Sequence, residues 1–207
     1  MSIFNKLFLF SLCLLVFSGC EKIKKNSSMK TLDNTKSHKK IAIVTFESLA
    51  PNIKAGEDMA KFCYNQFFTQ LYSNLNGNVG THQFRIMDEP SLSKIMHDNK
   101  WTDQSVYLQI GMDKFTETLG CDLLLLGTVS EYHYKRGLGE DPVIGLHLRL
   151  YDCKTKTIIW TGSHSSVGNF SWFKEDSLSR LAQQVCQTLA KKCFRDLGKQ
   201  LNHDRPN

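Results

Sequence analysis

Hydrophobic and polar positions alternate most regularly in the second half of the chain. Ile144, Leu146, Leu148 and Leu150 fall on one side, and Gly145, His147, Arg149 and Tyr151 on the other. A period of two is that of a strand with one buried face. The polar turn Asp152-Cys153-Lys154-Thr155-Lys156 follows, and Thr157-Ile158-Ile159-Trp160 supplies the β-branched and aromatic residues of a returning strand. Upstream, Leu123 to Leu126 is an apolar run suited to a central strand, with Val129 to Arg136 as its exposed continuation. Cys121 to Gly162 therefore predicts three consecutive antiparallel strands, the floor of a sheet on which the rest packs.

Ile41 to Phe46 reads as a further buried strand. From Glu57, apolar residues recur at steps of three and four: Ala60, Cys63, Tyr64, Phe67, Phe68, Leu71, Tyr72 and Leu75. That period predicts an amphipathic helix, stopped by Asn76-Gly77, which tolerate the left-handed cap conformation. Phe84 to Met87 predicts a short strand. Asp88 or Glu89 then caps a helix beginning near Pro90, with Leu92, Ile95 and Met96 turned inward. One more helical stretch, Ser105 to Leu119, closes on Gly120. Leu178, Leu181, Val185, Cys186, Leu189, Cys193, Leu197 and Leu201 mark a long last helix lying across one sheet face. The order predicts an α/β fold: a mixed, mainly antiparallel sheet packed with long helices. Tyr132, Tyr134 and His147 are expected together on the second sheet face.

The amino terminus adds a compartment. Lys6 precedes an apolar run from Leu7 to Phe17, then Ser18-Gly19-Cys20. The run is shorter than the roughly 20 residues that span a bilayer, and its small-residue end is that of a secretory signal. Phe17-Ser18-Gly19-Cys20 resembles the bacterial lipobox, with Phe17 where leucine is preferred. Lipidation of Cys20 is the expectation, and a cleaved, soluble periplasmic protein is the alternative. Glu21 to Lys40 is polar and lysine-rich without apolar periodicity, which makes it a tether. Glu21 in place of a retaining aspartate favours the outer membrane. The formal charge of +6 suits anionic envelope surfaces. No nucleic-acid module accompanies it, so no nucleic-acid partner is expected.

Beyond Cys13 and Cys20 stand five cysteines, Cys63, Cys121, Cys153, Cys186 and Cys193. An odd number cannot all pair within one chain. Cys186 and Cys193, seven residues apart on one helix, lie about 10 Å apart along its axis and do not bridge. The cysteines are expected to act mainly as small buried hydrophobes. No C-x-x-C or H-x-x-x-H spacing calls for a metal, and no cofactor is implied.

IAIVTFES at Ile41 to Ser48, FRIMDE at Phe84 to Glu89, LLLGTVSEYHYKRGLGEDPVIGLHLRLYD at Leu124 to Asp152 and IIWTGSHS at Ile158 to Ser165 together resemble the CsgG-like family of bacterial envelope lipoproteins. The resemblance implies a fold shared with the amino-terminal domain of TolB and with LpoB. It carries over no catalytic residue. With the amino-terminal reading, the chain is expected to divide into a signal peptide (1–19), a lipidated cysteine and flexible linker (20–39), a periplasmic domain (40–201) that the resemblance makes CsgG-like, and a tail (202–207). The curli secretion channel of this family has two membrane hairpins per subunit. Here Lys135 to Pro142 is charged and the segment after Thr161 is short and mostly polar, so a non-pore relative is expected.

The hairpin tip, with Lys135, Arg136, Glu140 and Asp141, is the first candidate for contacts with a partner, since both charge signs sit on a glycine-flexed loop. Its other reading is a solvated turn. Trp172 and Phe173, in an aromatic cluster with Phe170, either anchor a partner or staple a loop to the core. Ser163-His164-Ser165-Ser166 and the acid pairs Asp88-Glu89 and Glu140-Asp141 belong to no catalytic motif, and capping explains acids at element ends. The expectation is a non-enzymatic, outer-membrane-anchored lipoprotein whose periplasmic domain docks onto an envelope protein or onto itself. A secretion apparatus, a cell-wall synthase or a flagellar structure is the expected host. The alternative is a subunit of an oligomeric curli-type export complex.

Overall fold

The computed structural model describes residues 38–52, 54–73, 83–135, 141–168, 170–171, 174–175 and 177–203. The chain divides into two units, Met1–Thr35 and Lys36–Asn207, and every described residue belongs to the second. The elements run β1 (Lys39–Ile43), β2 (Glu47–Ser48), α1 (Ala55–Ser73), β3 (Phe84–Ile86) and α2 (Glu89–Asp98). A 3-10 turn (Gln104–Val106), α3 (Tyr107–Ile110) and α4 (Met112–Leu119) lead into β4 (Leu123–Lys135), β5 (Asp141–Asp152) and β6 (Thr157–Val167). The small pair β7 (Phe170–Ser171) and β8 (Lys174–Glu175) precedes α5 (Leu178–His203).

The main sheet has the order β3-β1-β4-β5-β6, with β2 also on β4. β1 is parallel to β3 and β4, whereas β4–β5 and β5–β6 are antiparallel. This is the expected α/β architecture with a mixed sheet. The parallel strands need crossovers. α1 makes the first, from β1 to β3, and α2 to α4 make the second, from β3 to β4. The two crossovers run in opposite directions across β1 and so lie on opposite faces, as a common hand requires.

α1 and α5 cover one face, burying Ile41, Ile43, Leu123, Leu125, Ile144, Leu146, Leu148, Leu150 and Trp160. The alternation read from β5 is thus the core. On the other face α2 and α4 bury Ala42, Val44, Leu124 and Leu126. Thr161, Ser163 and Ser165 of β6 remain exposed there.

Four sequence expectations are corrected. The predicted 105–119 helix is broken at Gly111, whose φ of 87° lies outside the helical region, and it resumes to end on Gly120 at φ 63°. β6 continues past Trp160 to Val167, alternating as it goes. The apolar stripe of α1 is narrower than its spacing implied: Cys63, Phe67 and Leu71 are buried, while Phe68 and Tyr72 are 42% and 46% exposed. Tyr132 and Tyr134 do not share a face with His147. A bulge between Val129 and Glu131 shifts the register, so Tyr132 pairs with Ile144 on the helix-covered face and donates to Asp58 Oδ2 at 3.2 Å. Gly145 makes the bulge fit, because a Cβ there would lie 2.4 Å from Ser130 Oγ. The Asn76-Gly77 stop lies outside the described residues.

β4 outruns its neighbour. β1 pairs with it only as far as Leu125, and β2 rejoins it at Thr128. The Gly127 backbone falls in the gap, and Gln104 fills it. Gln104 Nε2 donates to Gly127 O at 2.7 Å, Gly127 N donates to Gln104 Oε1 at 2.8 Å, and Gln104 N donates to Thr45 O at 3.0 Å. Gln104 is fully buried. An unpaired buried backbone group costs roughly 1–3 kcal/mol.

Gln104→Leu strands both Gly127 groups and is expected to destabilise the fold by about 2–4 kcal/mol, read as a lowered urea midpoint with an unchanged slope. Burial, then the adjacent Asp58 carboxylate, push the Tyr132 hydroxyl from 10.0 up to about 12. The fold favours its neutral form, so this stability is complete below pH 10 and is lost as pH rises towards 12. Urea midpoints measured from pH 9 to 12 should fall less steeply for Tyr132→Phe.

Candidate functional site

The hairpin candidates are partly in view. Lys135 ends β4 directly opposite Asp141, which opens β5; Lys135 is exposed and Asp141 half-buried. Arg136, Glu140, Trp172, Phe173 and the lipidation candidate Cys20 lie outside the described residues. Asp88 caps α2 as expected, its Oδ2 accepting from Ser91 N at 3.0 Å. The Ser91 hydroxyl, then this backbone N–H, hold the Asp88 carboxyl below its ordinary value. Strand alternation separates His164 from Ser163 and Ser165. His164 pairs with Leu146 on the helix-covered side, and the two serines pair with His147 and Gly145 on the other.

The uncovered side of β4 to β6 is polar. Thr128, Glu131 and His133 face it from β4, His147 and Arg149 from β5, and Thr161, Ser163 and Ser165 from β6. Ser165 Oγ donates to Glu131 Oε2 at 3.3 Å across Gly145. Arg149 Nε is buried without a hydrogen-bond partner among the described residues. Polar outward faces are ordinary for antiparallel sheets.

A cleft of about 320 Å³ opens at the carboxyl end of β1, where Ile43, Val44 and Thr45 form its floor. α1 supplies one wall with Glu57, Ala60, Lys61 and Tyr64. α2 supplies the other with Glu89, Leu92, Ser93, Met96 and His97, and Trp101 completes it. The walls diverge because the chains leaving β1 and β3 turn to opposite faces of the sheet. Such switch points are where open α/β sheets take ligands. The floor is apolar and the rim charged. Lys61 Nζ meets Glu57 Oε1 at 2.7 Å; this hydrogen bond and the paired charges lower the Glu57 carboxyl and raise the Lys61 ammonium. Burial raises the Tyr64 hydroxyl.

From the cleft rim an aromatic ladder runs along the outer side of α1. Tyr64 stacks on Phe68 with ring centroids 6.2 Å apart, and Phe68 lies 4.3 Å from Tyr72. A helix side away from the core normally carries polar residues, so the exposed rings of Phe68 and Tyr72 stand out, whereas Tyr64 is half-buried at the edge of the core. Sequence reasoning assigned all three to the core, which holds in part for Tyr64 and not for Phe68 or Tyr72. The signal that separates them is the stripe's width: positions 63, 67 and 71 already fill one face, and 64, 68 and 72 repeat it one residue on. The cleft itself had no local signal, since its walls come from three separate segments.

No family model matches the sequence, and no curated protein matches it. Among solved structures the chain is similar to the PelC dodecamer from Paraburkholderia phytofirmans, at 19% identity over 73% of this chain and 84% of that one, with a TM-score of 0.48. It is similar to lipoprotein GNA1162 from Neisseria meningitidis, at 18% identity over 74% and 99%, TM-score 0.48. The LpoB C-terminal domain from Salmonella enterica is a third, at 16% identity over 68% and 90%, TM-score 0.40.

Proposed function

We propose that this chain is an envelope lipoprotein, anchored through Cys20 in the outer membrane, whose folded unit is a non-catalytic docking module for an envelope protein. The observation that carries the reading is the Tyr64-Phe68-Tyr72 ladder, exposed at Phe68 and Tyr72 and leading through the half-buried Tyr64 into the apolar-floored cleft. Exposed, contiguous aromatic surface marks an interaction site, and aromatic anchors dominate protein interfaces. A partner polypeptide suits it best, with one apolar side chain seated on Ile43, Leu92 and Met96 and its own charges set against Glu57, Lys61 and Glu89. The acids on the rim oppose an anionic lipid surface. The lysine-rich segment before residue 40 serves as the tether that lets the module reach its partner.

Two experiments test this. A photo-crosslinking amino acid at position 68 in intact cells should yield an envelope-protein adduct, and Tyr72→Ala in the same chain should reduce its yield at least about fivefold, the loss of an interface aromatic worth 1–2 kcal/mol. Adducts joining two copies of this chain, or no adduct, would sink the partner reading. Cys20→Ser expressed in a diderm host should move the protein from the membrane fraction to the soluble periplasm. Retention in the membrane fraction contradicts lipid anchoring.

A further inference from the structure

Five cysteines are among the described residues, all reduced, and they are not scattered. Cys63 of α1 and Cys186 of α5, 123 positions apart in sequence, place their sulfurs 3.1 Å from each other. Cys121, at the entry to β4, and Cys153, in the β5–β6 turn, place theirs 3.7 Å apart. Only Cys193 is left over. The first separation is shorter than the roughly 3.5–4.0 Å of non-bonded heavy atoms at rest, and a thiol is only a weak hydrogen-bond donor. Burial as small hydrophobes does not require such pairing. Metal binding does not account for it either, since no group of three or more His, Cys, Asp or Glu suited to an ion occurs among the described residues.

We propose that the exported protein carries two intrachain disulfides, Cys63–Cys186 joining α1 to α5 and Cys121–Cys153 joining the start of β4 to the β5–β6 turn, with Cys193 remaining a thiol. The inference rests on the envelope reading above, because the compartment supplies the oxidant. That oxidant is a disulfide, either of an oxidoreductase or of oxidised glutathione. One cysteine thiolate attacks it and expels one sulfur as thiolate. The second cysteine then attacks the mixed disulfide and releases the other. Two protons and two electrons leave the chain for each bond formed, and the donor disulfide becomes two thiols.

The two pairs differ in access. Cys121 and Cys153 border an open cleft of about 290 Å³ with Asp113, Thr116, Glu117, Gly120 and Lys156, and Cys153 is half-buried. The hydrogen bond shared with Cys121 holds the Cys153 thiol below its ordinary value while raising that of Cys121, which makes Cys153 the attacking sulfur. Cys63 and Cys186 are wholly buried, and burial raises the Cys63 thiol. Their bond must close while the helices assemble and resists reduction afterwards.

The full chain is refolded with reduced and oxidised glutathione, acid-quenched, unfolded, alkylated and mapped without reduction. The expected result is linked peptides 63–186 and 121–153, with Cys193 alkylated. Mild reductant on the folded protein should open 121–153 first, and full reduction should lower the thermal midpoint by roughly 10–30 °C. Cys63→Ser should free Cys186 for alkylation and leave 121–153 linked. Unlinked peptides, or Cys193 bonded to either helix partner, would overturn the pairing wherever the protein resides. The same map on acid-trapped cells should show both bonds. Closure in the refolded chain with free thiols in cells would overturn the proposal through its compartment, and so count against the envelope reading rather than the geometry.

Discussion

The fold turns on a mismatch of strand lengths. β4 is long, β1 beside it stops after Ile43, and the backbone between must be satisfied without a strand. Gln104 completes the ladder at Gly127, and Phe46 packs so closely over that glycine that a Cβ there would lie 2.4 Å from its ring. Gly56 is required by the same detour. Its carbonyl accepts from Phe46 N at 3.3 Å, and a Cβ on it would meet Phe46 O at 2.1 Å. Because β1 ends early, the chain turns towards α1 just where α2 starts on the opposite face, and the cleft is the space left between them. One local constraint thus sets both the packing of the core and the opening at the surface.

What was legible in the sequence is what a short window encodes. Ile144 to Leu150 alternate because one face of β5 is buried along its whole length, and Asp88 before Glu89-Pro90 announces a helix start by its own chemistry. The misreadings share a cause. The Val129/Glu131 bulge depends on Gly145, a residue of the partner strand, so no pattern within β4 betrays the switch that turns Tyr132 inward. Gly111 ends one helical segment although the residues on either side keep a helical period. Tyr64, Phe68 and Tyr72 fit the same spacing rule as Cys63, Phe67 and Leu71, and only the position of α5 decides which row is covered.

The candidate site was less legible than the fold. Its floor comes from β1, its walls from α1 and α2, and its edge from Trp101, so adjacency exists only after the two crossovers have been made. Charged residues at a hairpin tip draw attention in a linear reading because they are consecutive. Surface formed by aromatic residues four apart, which also resemble core, does not. The cysteines show the same limit: their odd count was evident from composition, whereas the partners of Cys63 and Cys121 lie 123 and 32 positions away.

The ladder and the buried thiols are two sides of one helix. α1 is fixed by Asp58 accepting from Tyr132, by the edge contact of Phe67 with Phe194 at 5.6 Å, and by Cys63 against Cys186, one residue from Tyr64. A contact surface carried on a helix held in this way orders little further when a partner arrives, and ordering is what erodes affinity at flexible surfaces. Loop-borne residues must forfeit more freedom to make an equal contact. Placing exposed aromatic rings on a helix held in this way raises the local risk of non-specific association, and the charged rim beside them, Glu57, Lys61 and Glu89, restricts which partners can settle there. Rigidity on the inner face and selectivity on the outer one are therefore linked through α1.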